Sequence, residues 1–89
     1  SDPAAELFQA VIDEHRRRPR NRRALPAAHR VATRENPVCG DVCTLQLRFA
    51  PADRIAEAAF TGAGCALSQA SASLATVALV GRTPGEARA

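Results

Sequence analysis

The chain has no lysine, methionine, tryptophan or tyrosine, and three phenylalanines are its only aromatic residues among 89. All 12 basic side chains are therefore arginine, set against 9 acidic ones for a net charge of +3. Together with 20 alanines, these gaps read as a codon-composition bias rather than a functional signal. So few rings leave little for bases to stack on, which argues against nucleic-acid binding even at a pI of about 9.3. No apolar run approaches the roughly 20 residues of a membrane span. Ser1 to Glu6 is small and polar with no hydrophobic stretch behind it, unlike a secretory leader, so the expected location is the cytoplasm. Three cysteines are an odd number for a reducing compartment, and they point to thiol or metal chemistry rather than a disulfide framework.

What is present is one small domain with a thin core. Hydrophobic residues make up 46% of the chain, but beyond the alanines and cysteines only 18 large apolar side chains remain: 6 Val, 2 Ile, 7 Leu and 3 Phe. A chain this short buries only about 60 to 65% of its unfolded surface, so a metal, a partner or further chain is expected to firm it. The modest net charge excludes full disorder.

The pattern along the chain predicts an α+β fold. Leu7, Phe8, Val11 and Ile12 make an amphipathic helix, with Asp2 as N-cap, Pro3 in the first turn and an end before Pro19. Residues 19–36 read as loop with one short edge strand near His29 to Thr33. From Val42 the period becomes two, and Cys43, Leu45, Leu47 and Phe49 form the apolar side of a half-buried strand. Pro51 to Arg54 is a turn and Ile55 to Thr61 the returning strand of a hairpin. After the Gly62-Ala63-Gly64 break, Leu67, Ala70, Leu74, Val77 and Ala78 recur at helical spacing, while Ser68, Ser71 and Thr76 form a face small enough for another backbone to approach. Gly81 ends this helix. Thr83, Pro84 and Glu86 make a capping box that announces another, although Ala89 follows within a turn. The chain is thus expected to be a fragment whose continuation begins with that helix.

Two segments carry chemistry. In Cys39-Gly40-Asp41 a thiol and a carboxylate flank a glycine just before a strand, so both can converge on one ion. In Gly62-Ala63-Gly64-Cys65 a glycine turn presents a thiol at a helix N-terminus, where amides and dipole favour thiolate. A hairpin running from Cys39 to Cys65 brings both loops to one end of the sheet and supplies three ligands of a four-ligand site. The competing reading is that each cysteine is a small buried hydrophobe. Cys43 fits that reading, because alternation puts it with Leu45 and Leu47. Arg16, Arg17, Arg18, Arg20, Arg22 and Arg23 read as a solvated face near a helix C-terminus, with docking on an acidic partner as the alternative. His15 and His29 read as surface residues, His15 with a helix-end contact as its alternative. Ser68, Ser71 and Ser73 read as a close-packing stripe.

The stretches Asn36-Pro37-Val38-Cys39-Gly40-Asp41 and Gly62 to Leu74 resemble the two signature segments of the iron–sulfur cluster assembly proteins of the IscU, NifU and SufU type. Glu14-His15 and Pro19-Arg20-Asn21 are similar to a third family segment, and Cys65-Ala66-Leu67-Ser68 looks closest to the SufU branch. The resemblance runs from about Leu7 to Ala87. It implies an IscU/SufU-like domain over residues 1–89, with a small antiparallel sheet of about three strands packed against helices and without its C-terminal helical part. It also implies a scaffold or sulfur-relay protein, not primarily an enzyme, that accepts persulfide sulfur from a cysteine desulfurase of the SufS, IscS or NifS type. The product would pass to an apo-protein or cluster carrier. Cys39, Asp41 and Cys65 match the family's ligands for Zn²⁺ or a [2Fe–2S] cluster. The family's third cysteine and a nearby histidine have no counterpart here. Asp41, a hard donor among soft ones, is the expected exchangeable ligand. The alternatives are a structural zinc or interaction module without sulfur transfer, and a basic nucleic-acid-binding domain.

Overall fold

The computed structural model describes residues 2–36 and 40–88; Cys39 lies outside the described residues. Helix α1 spans Pro3–Arg17. The Asp2 carboxylate accepts the Ala4 amide at 2.9 Å, which satisfies one of the amides that a helix start leaves without a partner. The helix stops ahead of Pro19 as predicted, and the Arg18 amide closes its last turn on the Glu14 carbonyl at 2.9 Å. Only part of its apolar stripe is used: Ile12 is buried, while Leu7 and Phe8 are exposed.

Three antiparallel strands follow in the spatial order β1-β2-β3: β1 Arg30–Asn36, β2 Asp41–Ala50 and β3 Arg54–Ala63. The expected hairpin is β2 and β3, joined through a single tight turn at Pro51–Asp53. β1 is longer than the short edge strand expected, because all seven of its residues pair with β2, from Arg30 opposite Leu47 to Asn36 opposite Asp41.

The register sets Cys43, Leu45 and Leu47 opposite Gly62, Phe60 and Ala58 on one face of the sheet. Phe60, Ala58 and Ile55 are essentially inaccessible, and helix α2, Ala66–Leu79, lies against β3. Alternation predicts that the opposite face is wet. The structure corrects this, since residues 21–29 cross it from the edge of β3 toward β1. The Phe60 amide donates to the Asn21 carbonyl at 2.9 Å, the Leu25 amide to Gln46 Oε1 at 2.8 Å, and the His29 amide to the Leu47 carbonyl at 2.8 Å. Gln46 is buried in consequence, and its amide group supplies the partners that a covered polar side chain requires.

Helix α2 carries a second correction. Its buried residues are Ala70, Ser73 and Thr76, whereas Leu67 and Val77, on the stripe expected to pack, are about half exposed at 55% and 52%. Small hydroxyl residues let the chain come close and then bond to it. Ser73 Oγ accepts the Arg20 amide at 2.7 Å and lies 2.7 Å from His15 Nδ1, and Asn21 Nδ2 donates to Thr76 Oγ1 at 3.1 Å. These bonds fasten α2 to the end of α1.

Gly81 follows α2 with φ +88°, and the chain then returns to β3: the Gly81 amide donates to the Ile55 carbonyl and the Ile55 amide to the Arg82 carbonyl, both at 2.8 Å. The capping box forms as written, with Thr83 Oγ1 accepting the Glu86 amide and Glu86 accepting the Thr83 amide, and it opens α3, Pro84–Arg88. Among the described residues no helix is long and apolar enough to cross a membrane. The α+β expectation holds, and so does the thin core: Ile12, Leu25, Ile55 and Phe60 are the large apolar side chains buried among the described residues.

Candidate metal and sulfur site

β2 begins at Asp41 and β3 ends at Ala63, which pairs with Val42. The register alone therefore returns the chain to Asp41 just as it turns into α2. Two glycines make the closeness possible. A Cβ on Gly62, where φ is +146°, would lie 2.0 Å from the Val42 carbonyl oxygen. A Cβ on Gly64 would lie 3.0 Å from both Cγ and Oδ1 of Asp41. Glycine at 62 is a steric requirement of the turn, and at 64 any side chain would press on the carboxylate.

Cys65 is the N-cap of α2 and is exposed. Its Sγ accepts the Ser68 amide at 3.4 Å, lies 3.3 Å from Ser68 Oγ, and stands 3.9 Å from Asp41 Oδ2. Ser68 Oγ in turn donates to the same Asp41 Oδ2 at 2.5 Å. A hydrogen bond from the Ser68 hydroxyl, followed by those from the Ser68 and Leu67 amides, lowers the Cys65 thiol from the ordinary cysteine range, opposed by desolvation and by the Asp41 charge; when the hydroxyl proton goes to Asp41, the two amides remain. The outcome is a solvent-accessible thiol biased toward thiolate, the form that binds metals and attacks sulfur.

Cys65 and Asp41, separated by 24 residues, are thus brought together as the sequence suggests. Cys39, the third candidate, lies outside the described residues. A tetrahedral zinc ion, with Zn–S about 2.3 Å and Zn–O about 2.0–2.2 Å, places two such donors roughly 3.5 to 3.7 Å apart. The observed 3.9 Å is a few tenths wider, so the pair fits one ion after a small side-chain adjustment. Among the described residues no three potential ligands converge, so a closed site needs donors beyond this pair.

Other candidates go elsewhere. Cys43 is half-buried and lines a cavity of about 270 Å³ between sheet and α2, together with Asp41, Phe60, Ser68 and Ala72, instead of sitting in packed core. His29 is exposed, stacks on Phe49 and accepts the Phe49 amide at Nδ1, while His15 turns inward onto Ser73. The arginine cluster is largely matched by its own carboxylates: Arg16 pairs with Asp13, Arg18 and Arg20 with Glu14, and Arg23 with Glu57. That favours the solvated-face reading. Ser68 is the neighbour of both Asp41 and Cys65 that the pattern of small residues concealed. Its spacing three after an N-cap is the signal that could have found it, since Cys65-x-x-Ser68 is laid out like a capping box with a thiol at the cap.

The family model described as the NifU-like N-terminal domain matches residues 7–89. The chain is 40% identical over 83 residues to the iron–sulfur cluster assembly scaffold protein IscU of Streptococcus pyogenes, covering 93% of this chain and 51% of that protein. It is 38% identical over 76 residues to the zinc-dependent sulfurtransferase SufU of Bacillus subtilis, covering 85% and 50%. Its fold superposes with a TM-score of 0.80, at 33% identity over 88% of this chain and 57% of the other, on a crystal structure assigned as a cluster assembly scaffold protein for the SUF system of Fervidobacterium islandicum. A NifU-like N-terminal protein of Brucella abortus superposes with a TM-score of 0.79 at 27% identity, over 91% of this chain and 56% of that one. The chain spans about half the length of the curated relatives it matches. With both signature segments in place and the family model spanning all but the first six residues, the chain belongs to the NifU-like N-terminal domain family.

Proposed function

We propose that this chain acts in iron–sulfur cluster assembly, as a cytoplasmic metal-binding scaffold or sulfur relay that takes persulfide sulfur from a cysteine desulfurase and passes it to an apo-protein or cluster carrier. The observation that carries the reading is the Cys65 thiol, held 3.9 Å from the Asp41 carboxylate at a helix N-terminus. Cys39, Asp41 and Cys65 are the residues that would hold Zn²⁺ or a [2Fe–2S] cluster; one relative is named as zinc-dependent and another as an iron–sulfur cluster assembly scaffold. Bound there, the metal would keep the cysteines as thiolates.

The chain's own residues supply the rest. The amides of Ser68 and Leu67 stabilise negative charge on Cys65. Asp41 is a hard oxygen donor beside soft sulfur, and it is the member that exchanges most readily. A thiolate of Cys39 or Cys65 would attack the outer sulfur of the desulfurase persulfide. A new S–S bond forms to the protein thiol, the persulfide S–S bond breaks, and the desulfurase cysteine leaves as thiolate. No external oxidant or reductant is needed.

The test is incubation with a cysteine desulfurase and cysteine, followed by intact mass. A gain of one or more sulfur atoms, lost in Cys39→Ser or in Cys65→Ser, supports the relay and identifies the accepting thiol. A chain that binds zinc yet gains no sulfur and does not stimulate the desulfurase is a structural zinc or interaction module instead.

A further inference from the structure

Ser68 is the third residue of α2 and half-buried, and both of the side chains that it touches belong to the proposed site. Its hydroxyl has one proton to give. An ionised carboxylate can only accept, so the 2.5 Å contact is a charge-assisted bond from Ser68 Oγ to Asp41 Oδ2. Oδ2 is also the oxygen that faces Cys65 Sγ across 3.9 Å. The other oxygen, Oδ1, is backed by the main chain at Gly64, where even a methyl group would come within 3.0 Å. The carboxylate is thus held from two sides, by backbone behind Oδ1 and by a hydroxyl on Oδ2.

We infer that Ser68 is a positioning residue for Asp41, whose hydroxyl fixes the rotation of the carboxylate so that Oδ2 points at the ion shared with Cys65. The inference rests on the metal-site reading above. Oδ2 has two lone pairs, so an ion can take one while Ser68 keeps the other. The Ser68 bond therefore persists as the ligand engages, and the carboxylate is already ordered before the ion arrives. Without the hydroxyl the carboxylate must be ordered during binding, and such outer partners of metal ligands typically contribute about 10- to 100-fold in affinity. The role of Ser68 is exerted through Asp41, so it vanishes when Asp41 is absent. A purely structural serine would not behave in that way.

The test measures zinc affinity by competition with a chromophoric chelator in four proteins: the wild type, Ser68→Ala, Asp41→Ala and the double variant. Alanine is smaller than serine and a better helix former, and the circular dichroism of each variant checks its fold. The expected result is a 10- to 100-fold weakening in Ser68→Ala, with less than a threefold further change when Ser68→Ala is added to Asp41→Ala. An affinity of Ser68→Ala within threefold of the wild type, or an equal loss in both backgrounds, overturns the positioning role while leaving the metal site standing. A wild type that binds no zinc overturns the site and the positioning role with it.

Discussion

Replacing Gly64 by alanine separates the geometry of the site from the stability of the fold. The added Cβ would stand 3.0 Å from Cγ and Oδ1 of Asp41 and 3.2 Å from its Cβ. Carbon atoms rest comfortably at about 3.5 to 4.0 Å, so the carboxylate must retreat by roughly 0.5 Å. Metal–donor distances hold to within about 0.2 Å, so the displaced carboxylate must be drawn back against the added methyl group for an ion to bind. A tenfold or greater loss of zinc affinity is expected, equivalent to about 1.4 kcal/mol. Stability should change little. The backbone at Gly64 is not in the left-handed region, so alanine costs no backbone strain and restricts the unfolded chain by about 0.4 to 1 kcal/mol, which offsets the displacement of the Asp41 side chain. The assay is chelator competition for zinc beside urea denaturation of the metal-free protein. Wild-type affinity in a folded Gly64→Ala protein would refute the argument, because the carboxylate would then not be confined as described.

Ser73→Ala removes a fully buried hydroxyl that the Arg20 amide and His15 both use, and leaving those groups unpaired should lower stability by about 1 to 3 kcal/mol. A wild-type urea midpoint would contradict it. In metal-free protein, alkylation of Cys65 followed by peptide mass should show a pH midpoint below that of a free cysteine; a midpoint at or above the free value removes the electrostatic case for a reactive thiolate. Glu57 is held below the usual carboxylate range by the Arg48 and then the Arg23 guanidinium. A carboxyl whose folded pKa is depressed adds stability above its unfolded pKa and loses it as pH falls through the folded one, so Glu57→Gln should flatten the fall in stability on acidification below about pH 4.3. Identical acid profiles for the two proteins would show that the ion pairs contribute nothing.

The caps show what short-range chemistry makes legible. Asp2 with Pro3, Gly81 after α2, and the Thr83 to Glu86 box all form as their residues prescribe, because each acts within about four positions of chain. The β2–β3 hairpin is legible for the same reason. Burial on α2 is not. Leu67 and Val77 look like its inner face, yet Ser73 and Thr76 are the residues enclosed. Their partners at Arg20 and Asn21 are more than 50 positions away, and hydrophobic spacing gives no sign that a hydroxyl will find a distant amide. Gln46 is buried on the same terms, by a loop whose path across the sheet has no local signature.

By itself the sequence determined the caps, the hairpin and the two glycine turns that carry a carboxylate and a thiol, since these follow from backbone sterics and near-neighbour bonding. Only the tertiary structure decided how closely Asp41 stands against the start of α2, that Ser68 bridges it to Cys65, and which side of α2 is enclosed. The physical reason is that each depends on distances between segments about 25 to 55 residues apart, which pairing and packing set together and no single segment encodes.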